Sequence, residues 1–257
     1  MKIYSWNMLY RNPDLDGTYS FIEKLDFDVL CLQEVPEHFL ERLRTLPMHM
    51  TVCIDSDRIQ LKGSPIRIYC VILSRHPIVA TQEFPFPDPP RPLRSRLFVR
   101  CMRPLGWNIV TNHHAMYADI EIGGPRIRVF CLHLSLSNPR TRREEFDIAM
   151  RSYDAHMHTI VCGDFNILDS ARVTLLNWLL GGRLRDIFAW NSERAHIEER
   201  FQELNLRNPL RGKKTQTISH SQLDHILISP EISLTRAGVL DERHGSDHHP
   251  VFIECSA

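Results

Sequence analysis

Apolar residues recur along this chain in short runs broken by turn residues, a pattern of many strands with a few helices between them. Lys2–Trp6 alternates like a short strand, and Asp28–Gln33 is a continuous apolar run of the kind a strand buried on both faces shows. Between them Tyr19–Leu25 reads as a helix with Thr18 as its N-cap. Glu37–Leu46 reads as another, with Pro36 at a tolerated first-turn position. The middle is rich in strands: Arg67–Leu73, Ile78–Phe84, Leu97–Met102, Ala115–Ile122 and Arg126–Leu134. Gly123-Gly124 marks a hairpin between the last two.

Pro139–Met157 has the spacing of an amphipathic helix, and Thr159–Cys162 that of a strand. Ala171–Leu180 predicts a helix closed by Gly181-Gly182, followed by a helical turn at Asp186–Trp190. Strands at Asp224–Ser229, Ser233–Leu240 and Val251–Glu254 complete the chain. Phe84–Pro92 carries five prolines and reads as a loop, as does Asn205–Ser219. About a dozen strands flanked by helices predict two packed sheets with helices outside, within one domain spanning residues 1–257.

Composition narrows the class. Hydrophobic residues make up 43% of 257 and charged residues 24%, which excludes a disordered tail, a collagen-like chain and a coiled-coil rod. No apolar run approaches the ~18 residues of a spanning helix. Thirty-one basic residues balance 31 acidic ones, so the chain is not a basic nucleic-acid coat. Cys31, Cys131 and Cys162 sit inside apolar runs as small hydrophobes, with no CxxC pair. Reduced thiols and an N-terminus without a secretory pattern lead us to expect a cytoplasmic protein, and a monomer is expected as well.

The chemistry gathers at strand ends. Ile3–Trp6 runs into Asn7, Val29–Leu32 into Gln33-Glu34, Val129–Leu132 into His133, and Ile160–Cys162 into Gly163-Asp164-Phe165-Asn166. Asp224 stands beside Ile226–Ile228, and Asp247-His248 precedes the last strand. Each alone has an ordinary structural explanation as a turn residue, a helix-start acid or a core histidine. Six together point to a site assembled from strand ends. The carboxylates of Glu34, Asp164 and Asp247 and the amides of Asn7 and Asn166 are hard oxygen donors, which favour Mg²⁺ or Mn²⁺ over zinc. GxSxG, P-loop and GxGxxG motifs are absent, while a His beside Asp suits acid–base work near neutral pH.

SWN (Ser5–Asn7), CLQE (Cys31–Glu34), VILSRHPI (Val71–Ile78), RVFCLHL (Arg128–Leu134), GDFN (Gly163–Asn166), QLDHILIS (Gln222–Ser229) and SDHHPV (Ser246–Val251) occur in an order spanning nearly the whole chain. In these segments the sequence resembles the endonuclease/exonuclease/phosphatase superfamily, the deoxyribonuclease I-like fold. The resemblance implies a four-layer α/β/β/α sandwich with Mg²⁺ held by Glu34, Asn7 and Asp247. It further implies that Asp164 positions or deprotonates water, Asn166 and His133 contact the phosphate, and Asp224 orients His248, which stabilises the transition state or acts as acid/base. Where some members carry a second carboxylate after the first strand, this chain has Leu9. Of the adjacent His248 and His249, His248 is the expected base, because it follows Asp247 directly and Pro250 follows the other.

Within such a family the substrate is a separate question. Arg91, Arg94, Arg96, Arg100 and Arg103 follow the proline loop, and Arg207, Arg211, Lys213 and Lys214 precede Asp224. Arg94, Arg96, Lys213 and Lys214 are therefore expected to grip DNA or RNA, making the protein a Mg²⁺-dependent phosphodiesterase of nucleic acid. The alternatives are a hydrolase of an inositol- or lipid-linked phosphate, and a non-catalytic scaffold. No apolar hairpin or amphipathic anchor is legible, so no stable membrane association is expected.

Overall fold

The computed structural model describes residues 1–88, 91–170, 173–188 and 192–256. Among the described residues twelve strands form two sheets. The seven-stranded sheet contains β1 (Lys2–Asn7), β2 (Val29–Pro36), β3 (His49–Ile59), β4 (Ile66–Ser74), β6 (Ile109–Thr111), β11 (Ser233–Val239) and β12 (Val251–Ser256), in the order β11-β12-β1-β2-β4-β3-β6. The five-stranded sheet contains β5 (Ile78–Pro85), β7 (His114–Glu121), β8 (Arg126–His133), β9 (His158–Asp164) and β10 (Asp224–Ile228), in the order β10-β9-β8-β7-β5. Both sheets are mixed, with β1 parallel to β2 and β8 parallel to β9.

Side-chain alternation divides each central strand between two cores. Ile127, Val129 and Cys131 of β8 join Val29 and Cys31 of β2 in the core between the sheets. Phe130 and Leu132 face the other way, against Phe146 of α4 (Pro139–Ala149) and Phe201 of α7 (Ser192–Glu203). On the opposite surface Trp6, Leu30 and Leu32 pack with Ile22 of α1 (Leu15–Lys24) and with Phe39 and Leu40 of α2 (Glu37–Leu43). The continuous apolar runs thus satisfy two faces at once, and the layers stack as helix, sheet, sheet, helix. Cys31, Cys131 and Cys162 are buried and unbridged.

Several local expectations are corrected. Leu97–Met102 is not a strand but the end of α3 (Leu93–Met102), which turns Ser95 and Val99 inward at helical spacing. Asp14, not Thr18, caps α1 by accepting from the Gly17 N–H, so this helix starts one turn earlier. The helix expected over 139–157 ends at Ala149, capped at its start by Asn138 and followed by a 3₁₀ turn at Met150–Ser152. β3 and α7 were not anticipated from the sequence. Helices α5 (Thr174–Leu179) and α6 (Arg185–Phe188) fall within the expected segments, whose positions 171–172 and 189–190 lie outside the described residues.

Candidate active site

The same alternation carries the site. Continuing each inward-facing series to the strand end gives Asn7 after Ile3, Gln33 after Val29 and Cys31, His133 after Cys131, and Asp164 after Ile160 and Cys162. The polar groups are therefore the wet edge of the inter-sheet core. Register aligns them, since His133 pairs with Asp164 and Asp164 with Asp224, one row across three strands. Close packing of β9 on β8 at this level requires Gly163: a Cβ there would sit 1.8 Å from the Leu132 carbonyl oxygen.

Two irregularities re-aim side chains. Between Leu32 and Val35 the β2–β4 pairing slips, and Glu34 takes a left-handed φ of 57° that directs its carboxylate into the cleft. Between Ile54 and Ser56 the β3–β4 pairing slips as well, and the bulge carries Asp55. Asp55 is fully buried. It accepts from His133 Nδ1 at 2.7 Å and from the Glu34 backbone N–H at 3.2 Å, so it ties the carboxylate strand of one sheet to the histidine strand of the other.

A second pair mirrors the first. His248 Nδ1 lies 2.8 Å from Asp224 Oδ2, while His249 Nδ1 meets the Leu240 carbonyl, so the two adjacent histidines have different tasks. Trp6 Nε1 donates to the His248 carbonyl, and the Ser246 hydroxyl donates to the Asn7 carbonyl, fixing this loop on β1. The Nε2 atoms of His133 and His248 then approach the same oxygen, Asp164 Oδ2, at 3.8 and 3.7 Å. His133 Nε2 also lies 4.0 Å from Glu34 Oε1. Asn7 Nδ2 donates to Asp164 Oδ2 at 3.0 Å, and the Asn166 N–H to Asp164 Oδ1 at 2.8 Å.

The charges follow from these neighbours. Burial opposes an imidazolium at both histidines, but the carboxylates outweigh it. Asp55, then Asp164 and Glu34, raise His133 to about 9, and Asp224 with Asp164 raise His248 to about 10. Asp55, despite its burial, is held well below the ordinary carboxylate range by His133 and Arg58. These carboxylates favour the protonated form of both imidazoles, which face Asp164.

Asn7, Glu34, His133, Asp164, Asn166, Asp247 and His248 all line one cleft of about 280 Å³. Asp224 stands behind His248, fully buried. Arg58 of β3, absent from the sequence reading, lines the same cleft and donates to Glu34 Oε1 at 3.0 Å. Only the slip at Asp55 turns Asp55 and Arg58 toward the site and makes β3 functional, and alternation along the strand does not betray it. His113, 5% exposed, also lines the cleft, 3.6 Å from Glu145 and with Nδ1 unpartnered.

The basic residues expected to bind substrate are not brought in. Arg94 donates to the carbonyls of Trp178 and Gly182, which docks α3 on the end of α5. Arg96, Lys213 and Lys214 are exposed, and none of these four residues lines the cleft. Loop 205–219 contributes instead Gln216, whose amide donates to Asp247 Oδ2 at 2.9 Å, and the apolar Ile218.

Whether the site suits a divalent cation is decided by its donors. Glu34, Asn7 and Asp247 offer carboxylate and amide oxygens only, the set that Mg²⁺ or Mn²⁺ prefers. A guanidinium nitrogen already 3.0 Å from Glu34 Oε1 shows this carboxylate disposed toward positive charge. Among the described residues two closer His–acid groups exist, Asp55–His113–His133 and Asp164–Asp224–His248. In each, an imidazole Nδ1 is engaged by a carboxylate, which makes them hydrogen-bonded pairs.

The fold is shared widely. A protein from Beutenbergia cavernae described as an endonuclease/exonuclease/phosphatase superposes with a TM-score of 0.68 at 18% identity, over 99% of this chain and 71% of that one. The mannosyl-6-phosphatase Bt3783 of Bacteroides thetaiotaomicron gives 0.62 at 17% identity over the whole of both chains. The human Nocturnin catalytic domain with bound sulfate gives 0.61 at 18% identity, over 100% of this chain and 93% of that one. No curated protein sequence matches the chain. The sequence profile of the Endonuclease/Exonuclease/phosphatase family matches residues 4–248, and with the strand-end site in place the chain belongs to that family.

Proposed function

We propose that this protein hydrolyses a phosphoester with the help of a divalent cation, Mg²⁺ or Mn²⁺. The observation that carries the reading is the convergence of two buried His–acid pairs on Asp164 from either side, beside Glu34. A phosphate entering that gap meets two imidazolium donors, His133 and His248, suited to the charge that builds on its oxygens. With Asp55 and Asp224 favouring protonated rings, the carboxylate of Asp164, which faces both, is the group placed to orient a water and accept its proton. Water's oxygen bonds to phosphorus, the ester P–O bond breaks, and His248 supplies a proton to the departing oxygen. Asp55 and Asp224 hold the rings and their charge. Asn166 fixes Asp164 through its backbone N–H, and its side-chain amide donates to the Leu134 carbonyl with one N–H left over.

Glu34, Asn7 and Asp247 would hold the cation. Bound there, it supplies Lewis-acid stabilisation of the phosphoryl oxygens and a lower pKa for water.

Of the substrate classes, DNA or RNA was the expectation from the basic loops. Arg94 is committed to carbonyls and the other three residues stand off the cleft, so those loops lend that class little support. A scaffold without chemistry would have no use for two imidazolium pairs held against a buried carboxylate. The test is a screen of bis-p-nitrophenyl phosphate, DNA, RNA, an inositol polyphosphate and sphingomyelin with Mg²⁺, against EDTA and His248→Ala controls. Turnover of any of them, lost in both controls, supports hydrolysis. Turnover that persists in EDTA removes the cation, and silence on every ester favours a scaffold.

A further inference from the structure

Helix α3 presents a face that none of the described residues covers. Leu93 is 69% exposed, Leu97 one turn later 51%, and Leu105, in the 3₁₀ turn that follows, 75%. Cys101, at the next position of the same stripe, is exposed too. The opposite face is anchored. Ser95 and Val99 are buried, Phe98 meets Trp107 edge-on at 5.2 Å, and Arg94 and Arg103 donate to the carbonyls of Trp178, Gly182 and Gln60. Arg91 is likewise spent on the Val110 carbonyl. The apolar stripe is therefore the outer surface of a fixed helix.

Charge tells what fits it. Between Asp88 and Asp119 the sequence has five arginines and no acid. Three of them hold backbone carbonyls. The remaining two, Arg96 and Arg100, are exposed on α3 beside the leucines, without an ion-pair or hydrogen-bond partner among the described residues. Arg42, Arg67, Arg140 and Arg200 on other surfaces each have a carboxylate within 3 Å. Leucines flanked by two arginines that have no carboxylate partner among the described residues complement a surface that is apolar at depth and anionic at its face. Nucleic acid would satisfy the arginines and leave three leucines in water.

The face also adjoins the cleft. Ser95 and Val99 from the inner side of α3 line a chamber of about 200 Å³, whose walls Arg58, Trp107, His113 and Leu136 are shared with the catalytic cleft. Two further exposed apolar side chains, Leu136 at 43% and Ile218 at 69%, stand in the lining of the cleft itself.

We propose that α3, whose outer face the strand reading of Leu97–Met102 concealed, docks this protein on an anionic phospholipid bilayer with Leu93, Leu97 and Leu105 inserted and Arg96 and Arg100 at headgroup level, in place of the expected lack of membrane association. Taken together with the phosphoester reading above, on which this consequence rests, the ester is then one displayed at a lipid surface. No helix among the described residues is long and apolar enough to cross a membrane, so contact is by the helix face alone.

The experiment is sedimentation of the full chain with vesicles of about one-third phosphatidylglycerol in phosphatidylcholine, and with phosphatidylcholine alone, in EDTA so that no turnover is involved. Binding to the anionic vesicles is expected, with at least about a tenfold weaker partition for Leu93→Asn/Leu97→Asn and for Arg100→Glu, and a loss with added salt for the wild type. Turnover of soluble bis-p-nitrophenyl phosphate by the leucine variant reports its fold and tests the phosphoester reading separately. If that variant does not fold, Arg100→Glu decides alone. Absence of wild-type binding, or binding indifferent to these substitutions, overturns the proposal. So does preferential capture of single-stranded DNA through Arg100 with the leucines immaterial, or self-association that the leucine variant abolishes.

Discussion

His133 of the five-stranded sheet and Asp55 of the seven-stranded sheet are joined by a 2.7 Å hydrogen bond across the open edge of the sandwich. The bond orients the imidazole so that Nε2 points at Asp164, and it keeps the ring charged. Removing the negative charge while keeping the shape isolates the second effect. Asp55→Asn is expected to bring the His133 titration down from about 9 toward neutrality, and to lower turnover of a soluble phosphodiester roughly 10²–10⁴-fold at pH 8. A pH–rate profile beside an NMR titration of the imidazole checks both. An unshifted His133 would show that Asp164 and Glu34 alone hold its proton.

Glu34 and Arg58 make the other informative pair, 3.0 Å apart and both mostly buried. Glu34→Ala is expected to abolish cation-dependent turnover and calorimetric Mg²⁺ binding. Its effect on stability should stay within about 1–3 kcal/mol, the penalty of leaving Arg58 unpaired at a partly wet site. Arg58→Ala removes a competitor for the same carboxylate, so Mg²⁺ binding should strengthen. Weaker Mg²⁺ binding in Arg58→Ala would mean that the guanidinium orients Glu34 for the cation.

Stability should pass through a maximum near pH 6.5. His133 and His248 titrate in the folded state at about 9 and about 10, against 6.5 when unfolded. Their contribution is fully present below pH 6.5 and is lost as the pH rises through the folded values. His225 behaves oppositely. Burial and the neighbouring Arg194 push it well below 6.5, so stability falls as acid protonates it in the unfolded chain first. Urea denaturation from pH 5 to 10 in EDTA measures the curve. Stability that climbs from pH 6.5 to 9 would contradict the imidazolium pair.

Arg142 of α4 is 1% exposed and grips Glu193 of α7 by two bonds of 2.6 and 2.7 Å, with further bonds to the Ser137 carbonyl and Asn177. Cutting one partner strands the other charge. Arg142→Met is expected to destabilise by about 3–5 kcal/mol, and Arg142→Met/Glu193→Leu by much less. Denaturant midpoints of the two variants decide whether this ion pair is a structural clamp. Equal losses would place the penalty in the carbonyl and Asn177 bonds.

The sequence alone determined the layers and named most of the candidate residues that line the cleft. Runs such as Val29–Leu32 and Val129–Leu132, apolar at every position, fit strands with both faces covered, and the polar residue at each strand end marks where the core meets water. Asn7, His133 and Asp164 were legible because alternation places them on the inner face. Tertiary structure decided the rest. Glu34 reaches the cleft through a register slip, and Asp55 enters from a strand whose partners, β4 and β6, lie ahead of it in the chain. A bulge is a property of paired strands, so no single segment announces it. The same holds for α3. Leucine and arginine at mixed spacing read as a strand until Arg94 and Arg103 found carbonyls in distant segments, and that docking fixed which leucines stayed in water. Local pattern specifies what a segment can bury, while the partner it packs against specifies which side is left exposed.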